Sequence, residues 1–264
     1  LQVTDNGSNV TEYTYDQLGR RLSVQHPDAG LKEFEYDLVG NLIAKTTPNT
    51  REDNQSIKYT YEFERLVQID YPKNYQNMVR YTYGKPGDKH HRAGRVWLQE
   101  DASGGQEFFF GPLGEVVKNI RTVLVSNLRL ITYVSEFRYD TWNRIDTMIY
   151  PDGEVVKYRY NKAGKLSGMN SSRSGINTEF VGRLGYDKFE QRTFLRYGNG
   201  TETVYTYEDD RRRLKTMTVT NAAGRTFMDN RYEYDAVGNI LSLNNIAPIK
   251  DGEMGGPAAY TYKY

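Results

Sequence analysis

Tyr13-Thr14-Tyr15-Asp16-Gln17-Leu18-Gly19-Arg20 recurs as Phe34-Glu35-Tyr36-Asp37-Leu38-Val39-Gly40-Asn41 and again as Tyr232-Glu233-Tyr234-Asp235-Ala236-Val237-Gly238-Asn239. Weaker copies begin at Tyr59, Tyr81, Phe108, Phe137, Tyr158, Leu184 and Tyr205. From Tyr13 to Tyr232 nine steps cover 219 residues, a mean near 24, with single steps of 21 to 29. Tyr260-Thr261-Tyr262 opens an eleventh copy. A period in this range marks a repeat architecture and decides the fold before any local pattern does.

Each part of the unit has a physical reading. Tyr-x-Tyr places two rings on one face of a strand, because side chains alternate with period 2. Asp-x-x-Gly suits a type I turn, with Asp capping the backbone at the first position and Gly tolerating positive φ at the fourth. A long or apolar residue follows, as in Gly40-Asn41-Leu42, Gly164-Lys165-Leu166 and Gly238-Asn239-Ile240. The returning strand alternates, as in Arg144-Ile145-Asp146-Thr147-Met148-Ile149-Tyr150, and Pro27-Asp28-Ala29-Gly30 or Pro151-Asp152-Gly153 then supplies a second turn.

One unit is thus strand, turn, strand, turn. The sequence predicts an all-β chain of tandem β-hairpins, because one hairpin is marginal in water and successive hairpins must pair into a continuous curved antiparallel sheet. No composition shift marks a boundary, so residues 1–264 read as one array of about ten repeats, cut from a longer chain. The pattern weakens in three places. Lys85 to Gly94 lengthens a turn, Leu113 to Tyr133 carries the strand-like Arg121-Thr122-Val123-Leu124-Val125, and the Ser- and Gly-rich Ser167 to Gly182 is expected to loop out.

Composition fits a thin sheet. The 264 residues hold 35 basic and 34 acidic side chains, 38% hydrophobic residues, 23 Tyr and no Cys. That is polar for a packed core yet far too aromatic for disorder. A one-layer sheet resolves the tension, since Tyr covers wide area while its hydroxyl stays wet. Net charge +1 lacks the footprint of a nucleic-acid binder. No apolar run reaches the ~18–20 residues of a membrane span, and the absence of Cys removes disulfides and thiolate sites. Leu1 to Asp5 shows no targeting segment.

The repeat resembles the YD-repeat family, also called Rhs repeats. The closest fits are Tyr13 to Gly30, Tyr36 to Leu42, Tyr150 through Leu166 and Gly198 through Leu214. The resemblance implies a β-sheet strip that spirals into a hollow shell. In bacterial members, Rhs proteins and the B and C subunits of Tc toxins, the shell encloses a C-terminal toxin; teneurins use a similar barrel at the animal cell surface. There are departures. The Asp-Pro-x-Gly motif of the bacterial shell core is missing, as no Asp-Pro dipeptide occurs. Gly84 and Gly111 replace the turn Asp, and the copy at Leu184 lacks the turn Gly, so these hairpins are expected to turn differently.

Candidate sites reduce to few. His90 and His91 are adjacent and would diverge on a strand, and His26 has no ligand companion at useful spacing. Asp16, Asp37, Asp140, Asp187 and Asp235 recur at one repeat position, which a turn cap explains and a catalytic pair does not. Glu208-Asp209-Asp210-Arg211-Arg212-Arg213 reads as a solvated turn. Ser171-Ser172-Arg173-Ser174-Gly175 lacks the strand-to-helix elbow of a nucleophilic Ser.

The expected function is therefore a non-enzymatic wall module of a secreted or cell-surface bacterial shell, with no catalytic, cofactor or metal residues. Its partners are the neighbouring repeats and a C-terminal cargo of the same polypeptide. The Tyr rows, with Trp97 and Trp142, leave a second reading as a strip that binds a cell-surface glycan or receptor. A hydrolase survives as a third only through the abundance of carboxylates.

Overall fold

The computed structural model describes residues 1–5, 7–126, 129–249 and 256–264. Two compact units divide the chain, Leu1–Glu136 and Phe137–Tyr264. The first holds β1 Gln2–Thr4, β2 Val10–Tyr15, β3 Arg21–His26, β4 Gly30–Tyr36, β5 Leu42–Thr46, β6 Ile57–Glu62, β7 Arg65–Asp70, β8 Val79–Tyr83, β9 Val96–Asp101, β10 Gly104–Phe110 and β11 Val116–Val125. β12, Arg129–Tyr139, begins in it and runs past the division. The second holds β13 Ile145–Ile149, β14 Val155–Tyr160, β15 Leu166–Arg173, β16 Ile176–Tyr186, β17 Arg192–Tyr197, β18 Glu202–Tyr207, β19 Leu214–Thr220, β20 Thr226–Tyr234, β21 Ile240–Asn245 and β22 Ala258–Thr261. A four-residue helix, Pro48–Arg51, and a 3₁₀ turn, Tyr75–Asn77, sit in connections.

From β1 to β12, and from β13 to β22, each strand pairs antiparallel with the next in sequence. This is the tandem-hairpin, all-β fold that the repeat predicts. The buried core is thin. Among the described residues only Ala44, Val156, Val181, Leu195 and Ala247 are buried apolar side chains. No helix among the described residues is long and apolar enough to cross a membrane.

The Asp-type turns form as the sequence implies. At the first, Gly19 N–H donates to the Asp16 carbonyl (3.1 Å), Asp16 N–H donates to the Arg20 carbonyl (2.9 Å), and Gly19 sits at φ 78°. A type I turn ending in a left-handed residue and a one-residue bulge twists the strands the way a sheet needs.

Three expectations change, and two hold. Ser167 to Gly182 does not loop out. It forms most of the hairpin β15–β16, turned at Ser174-Gly175. Its small residues serve close packing: Ser171 is buried opposite Val156, and a Cβ on Gly168 would collide with the Arg159 guanidinium. The turns at Gly111 and Asp187 do not differ in path. Gly114 N–H donates to the Gly111 carbonyl (3.0 Å), and Glu190, at φ 66°, donates to the Asp187 carbonyl (3.1 Å). Gly84 does open a different connection, residues 84–95, closed by Gly84 N–H to the Arg95 carbonyl (3.0 Å). The strand-like Arg121–Val125 lies inside the longer β11; positions 127 and 128 of that weak stretch fall outside the described residues.

Candidate functional surface: tyrosine rows and turn rims

In eight copies the second aromatic, a tyrosine, sits at a recurring register slip. Pairing shifts between Thr14 and Tyr15, Glu35 and Tyr36, Thr60 and Tyr61, Thr82 and Tyr83, Arg159 and Tyr160, Gly185 and Tyr186, Thr206 and Tyr207, and Glu233 and Tyr234. A bulge sets two residues of the returning strand against one and disrupts the ladder locally. Backbone groups at the bulge then need other partners.

The next hairpin supplies one. Tyr36 Oη donates to the Arg21 carbonyl (3.0 Å), Tyr83 to Leu66 (3.1 Å), Tyr160 to Ile145 (2.7 Å), Tyr186 to Leu166 (3.0 Å), Tyr207 to Arg192 (2.8 Å) and Tyr234 to Leu214 (2.8 Å). Arg21, Leu66, Leu166, Arg192 and Leu214 each pair with the preceding hairpin's second tyrosine at its slip. Five of these rings therefore reach back and fasten the bulge before them. This explains why the unit uses Tyr rather than Phe at that position. The signal was present in the period of the tyrosines; the bulge that gives it meaning has no residue signature of its own.

Arginines lie over the same rings. The guanidinium of Arg20 stands 5.0 Å from the Tyr36 centroid, Arg65 5.1 Å from Tyr83, Arg144 4.2 Å from Tyr160 and Arg213 4.6 Å from Tyr234. Arg20 also donates from Nε to Asp16 Oδ2 (2.6 Å) and from Nη1 to the Asp37 carbonyl (2.9 Å). One side chain thus joins its own turn to the ring and the turn of the next hairpin.

The acidic and basic run at Glu208–Arg213 follows this rule, which corrects its reading as a merely solvated turn. Arg213 pairs with Glu208 (2.6 Å) and donates to the Asp235 carbonyl (2.8 Å). Arg212 donates to Asp187, donates to Gln191 Oε1 (3.0 Å) and covers the Phe189 ring at 4.3 Å. Both side chains are half-buried. Reach to the neighbouring hairpin, invisible along one chain segment, decides their role.

The periodic carboxylates are absorbed by their own turns. Asp16 Oδ1 accepts from Leu18 and Arg20 N–H, and Asp187 Oδ1 accepts from Phe189 and Gln191 N–H, all at 2.9 Å. Asp235 accepts from Val237, Gly238 and Asn239 N–H (2.7–3.0 Å). Burial alone would raise Asp16, Asp37 and Asp235, but these hydrogen bonds outweigh it and hold all three below the ordinary carboxylate range. The Arg144 side chain does the same for Asp140. Burial raises the phenols of Tyr158, Tyr160, Tyr207 and Tyr234. These are stable, neutral packing rings.

The histidines stay apart. His26 Nδ1 accepts from Asp28 and Ala29 N–H (3.1 and 3.3 Å) and so caps its turn. His90 and His91 lie in the exposed 84–95 connection, with the His90 ring edge-on to Phe109 at 4.9 Å. Among the described residues no three His, Asp or Glu side chains converge in a metal-binding group. Ser171 is buried on a strand, and Ser174 forms a hairpin turn.

Comparison with known proteins follows the repeat. A family model described as RHS Repeat matches residues 1–31. Toxin subunit YenC1 of Yersinia entomophaga is 35% identical over 121 residues, covering 41% of this chain and 12% of the relative. Toxin subunit YenC2 of the same organism is also 35% identical over 121 residues, 44% of this chain and 12% of that one. The chain therefore spans 12% of the length of these relatives. In the crystal structure of TcdB2-TccC3, a segment equal to 16% of that chain covers 100% of this one, with a TM-score of 0.78 at 20% identity. The Photorhabdus luminescens Tc holotoxin pore gives 0.77 at 20% identity, covering 100% of this chain and 15% of that one. These solved structures share the fold.

Proposed function

We propose that this chain, a member of the YD-repeat or Rhs-repeat family, is a non-enzymatic wall segment of a Tc-type or Rhs-type shell that encloses a polypeptide cargo. The observation that carries the reading is the serial fastening of hairpins. Tyrosine hydroxyls and arginines are consumed in joining one hairpin to the next and turn carboxylates in capping their own turns, which is what a wall requires and a catalytic surface does not. Likeness in fold to TcdB2-TccC3 and 35% sequence identity over 121 residues to toxin subunits YenC1 and YenC2 support it. The chain would act as one stretch of a longer secreted polypeptide, its cargo carried on the same chain.

The test is protease protection. In the full-length polypeptide that contains residues 1–264, the enclosed portion should resist proteinase K while the same portion expressed alone is degraded. Equal degradation in both settings, with the strip intact, would overturn the proposal. Glycan-array binding that disappears on Tyr→Ala changes would instead favour a carbohydrate-binding strip. Glycoside turnover lost with a single Asp, and not with its repeat equivalents, would favour a hydrolase.

A further inference from the structure

The connection between β8 and β9, residues 84–95, stands where other copies have an Asp-type turn. Four of the 35 basic and one of the 34 acidic side chains fall in it. With His neutral it therefore balances at +3 and the remainder of the chain at −2, so the net positive charge resides in this loop. Two of its cations hold the loop in place. Arg92 pairs with Glu107 (2.7 Å), donates to the Phe108 carbonyl (3.2 Å) and lies over the Trp97 and Phe109 rings at 4.3 and 4.5 Å. Arg95 donates to the His91 carbonyl (2.6 Å). The other two, Lys85 and Lys89, are exposed, and their side chains have no hydrogen bond or ion pair among the described residues. At the Asp-type turns, by contrast, Arg20, Arg144 and Arg212 are paired with their aspartates.

The tip of the loop is strained and its donors are free. His90 and His91, at φ 60° and 51°, are the only two successive non-glycine residues in the left-handed region among the described residues. Such strain persists only where the surroundings impose it, and it clusters at ligand clamps. Here Phe110 N–H donates to the His90 carbonyl (3.2 Å), and Arg95 holds the His91 carbonyl. Both carbonyls are thus engaged by protein. The N–H groups of Lys89, His90, His91 and Arg92 have no acceptor among the described residues. Successive N–H groups left free in a turn make an anion-binding concavity.

We propose that the Lys89–Arg92 turn binds one phosphate or sulfate group of a small ligand, through these N–H groups and the Lys85 and Lys89 ammonium groups. The nearby carboxylates do not cancel the charge. Asp88 Oδ2 is turned to the loop's own backbone, accepting from Lys85 N–H (2.7 Å). Glu107 is taken by Arg92, and Glu115 of the next turn buries its Oε2. Extent selects the class of ligand. A polybasic membrane patch gathers about four to eight Lys and Arg, and a nucleic-acid footprint runs as a basic stripe. Two free lysines beside four amides match a single oxyanion, whose hydrogen bonds from such donors are charge-assisted. The proposal goes beyond the wall reading and does not depend on it.

The test is an NMR titration of the backbone amides of the 264-residue chain with inorganic phosphate and with inorganic sulfate, at neutral pH and constant ionic strength. Saturable shifts are expected at Lys89 to Arg92 with at least one of the two anions, and none at the turn 161–165, which serves as the internal control. Lys85→Ala/Lys89→Ala should weaken binding roughly fivefold, as the loss of two exposed charge contacts would. Both side chains are exposed, so shifts elsewhere in the double variant should match the parent and show that it folds. Lys162→Ala should bind as the parent does. Absence of saturable shifts, shifts that sodium chloride reproduces, or binding unchanged in the double variant would each overturn the proposal. So would binding to heparin or to phosphatidylserine vesicles with no response to either inorganic anion, which would assign the loop to a polyanionic surface instead.

Discussion

The turn at Asp16–Arg20 and the turn at Gly111–Glu115 follow one backbone path with opposite side chains. In the first, Asp16 caps two N–H groups and pairs with Arg20. In the second, Gly111 has nothing to cap with, and the Glu115 carboxylate fills the space where an Asp side chain would stand, as a Cβ on Gly111 would strike Glu115 Oε1. Both keep the same two backbone hydrogen bonds, and both end in a left-handed glycine, φ 78° at Gly19 and 87° at Gly114. Path is thus set by register and by the fourth residue. The Asp adds hydrogen bonds to a turn already determined.

The largest effect should come from forcing the first pattern on the second. Gly111→Asp would set a carboxylate against Glu115 and destabilise the chain by about 3 kcal/mol in urea melts. Gly111→Asp/Glu115→Arg, which restores the Asp-to-Arg pairing, should recover most of that loss. A double variant as weak as the single would break the comparison.

Next is the shared glycine. Gly19→Val leaves its side chain in open space, so the loss of about 1–2 kcal/mol would be backbone strain alone. Gly114→Val should lose more, because its Cβ also meets the Arg95 guanidinium. Equal losses would show that the local packing is immaterial.

Tyr207→Phe should cost about 1 kcal/mol, the net worth of one hydrogen bond to the Arg192 carbonyl. Phe110, the second aromatic of its own copy, already lacks a hydroxyl. Phe110→Leu should therefore disturb packing without the loss of such a bond.

The smallest effect is acid sensitivity. Asp16, Asp37, Asp140 and Asp235 are depressed from an ordinary 3.8. A depressed carboxylate stabilises fully above its unfolded value, and that stabilisation is lost as pH falls through the lower folded value. Hydrogen exchange in residues 17–20 should thus accelerate below pH 3.8 relative to residues 112–115, whose turn has no Asp to protonate. Parallel acceleration in both turns would contradict the capping role.

Strand positions, turn positions and the thin core were legible because they rest on short-range chemistry. Tyr13-x-Tyr15 fixes a strand face, and Asp16-x-x-Gly19 fixes a turn within five residues. Misreadings arose where partners lie a hairpin away. Ser167 to Gly182 looked like a loop because its small residues make sense only against Val156 and Arg159 of the neighbouring strand. Arg212 and Arg213 looked like a solvated charge run because Asp187, Phe189 and Tyr234 are 21 or more residues distant in sequence.

Hydrogen-exchange mass spectrometry on Tyr207→Phe tests the serial fastening most directly. If each tyrosine hydroxyl locks the hairpin before it, exchange should accelerate at the start of β17, around Arg192, as well as in the hairpin β18–β19 that carries the substitution. Acceleration confined to β18–β19, with the Arg192 segment unchanged, would show that the hairpins stand independently and that the hydroxyl does not join one to the next.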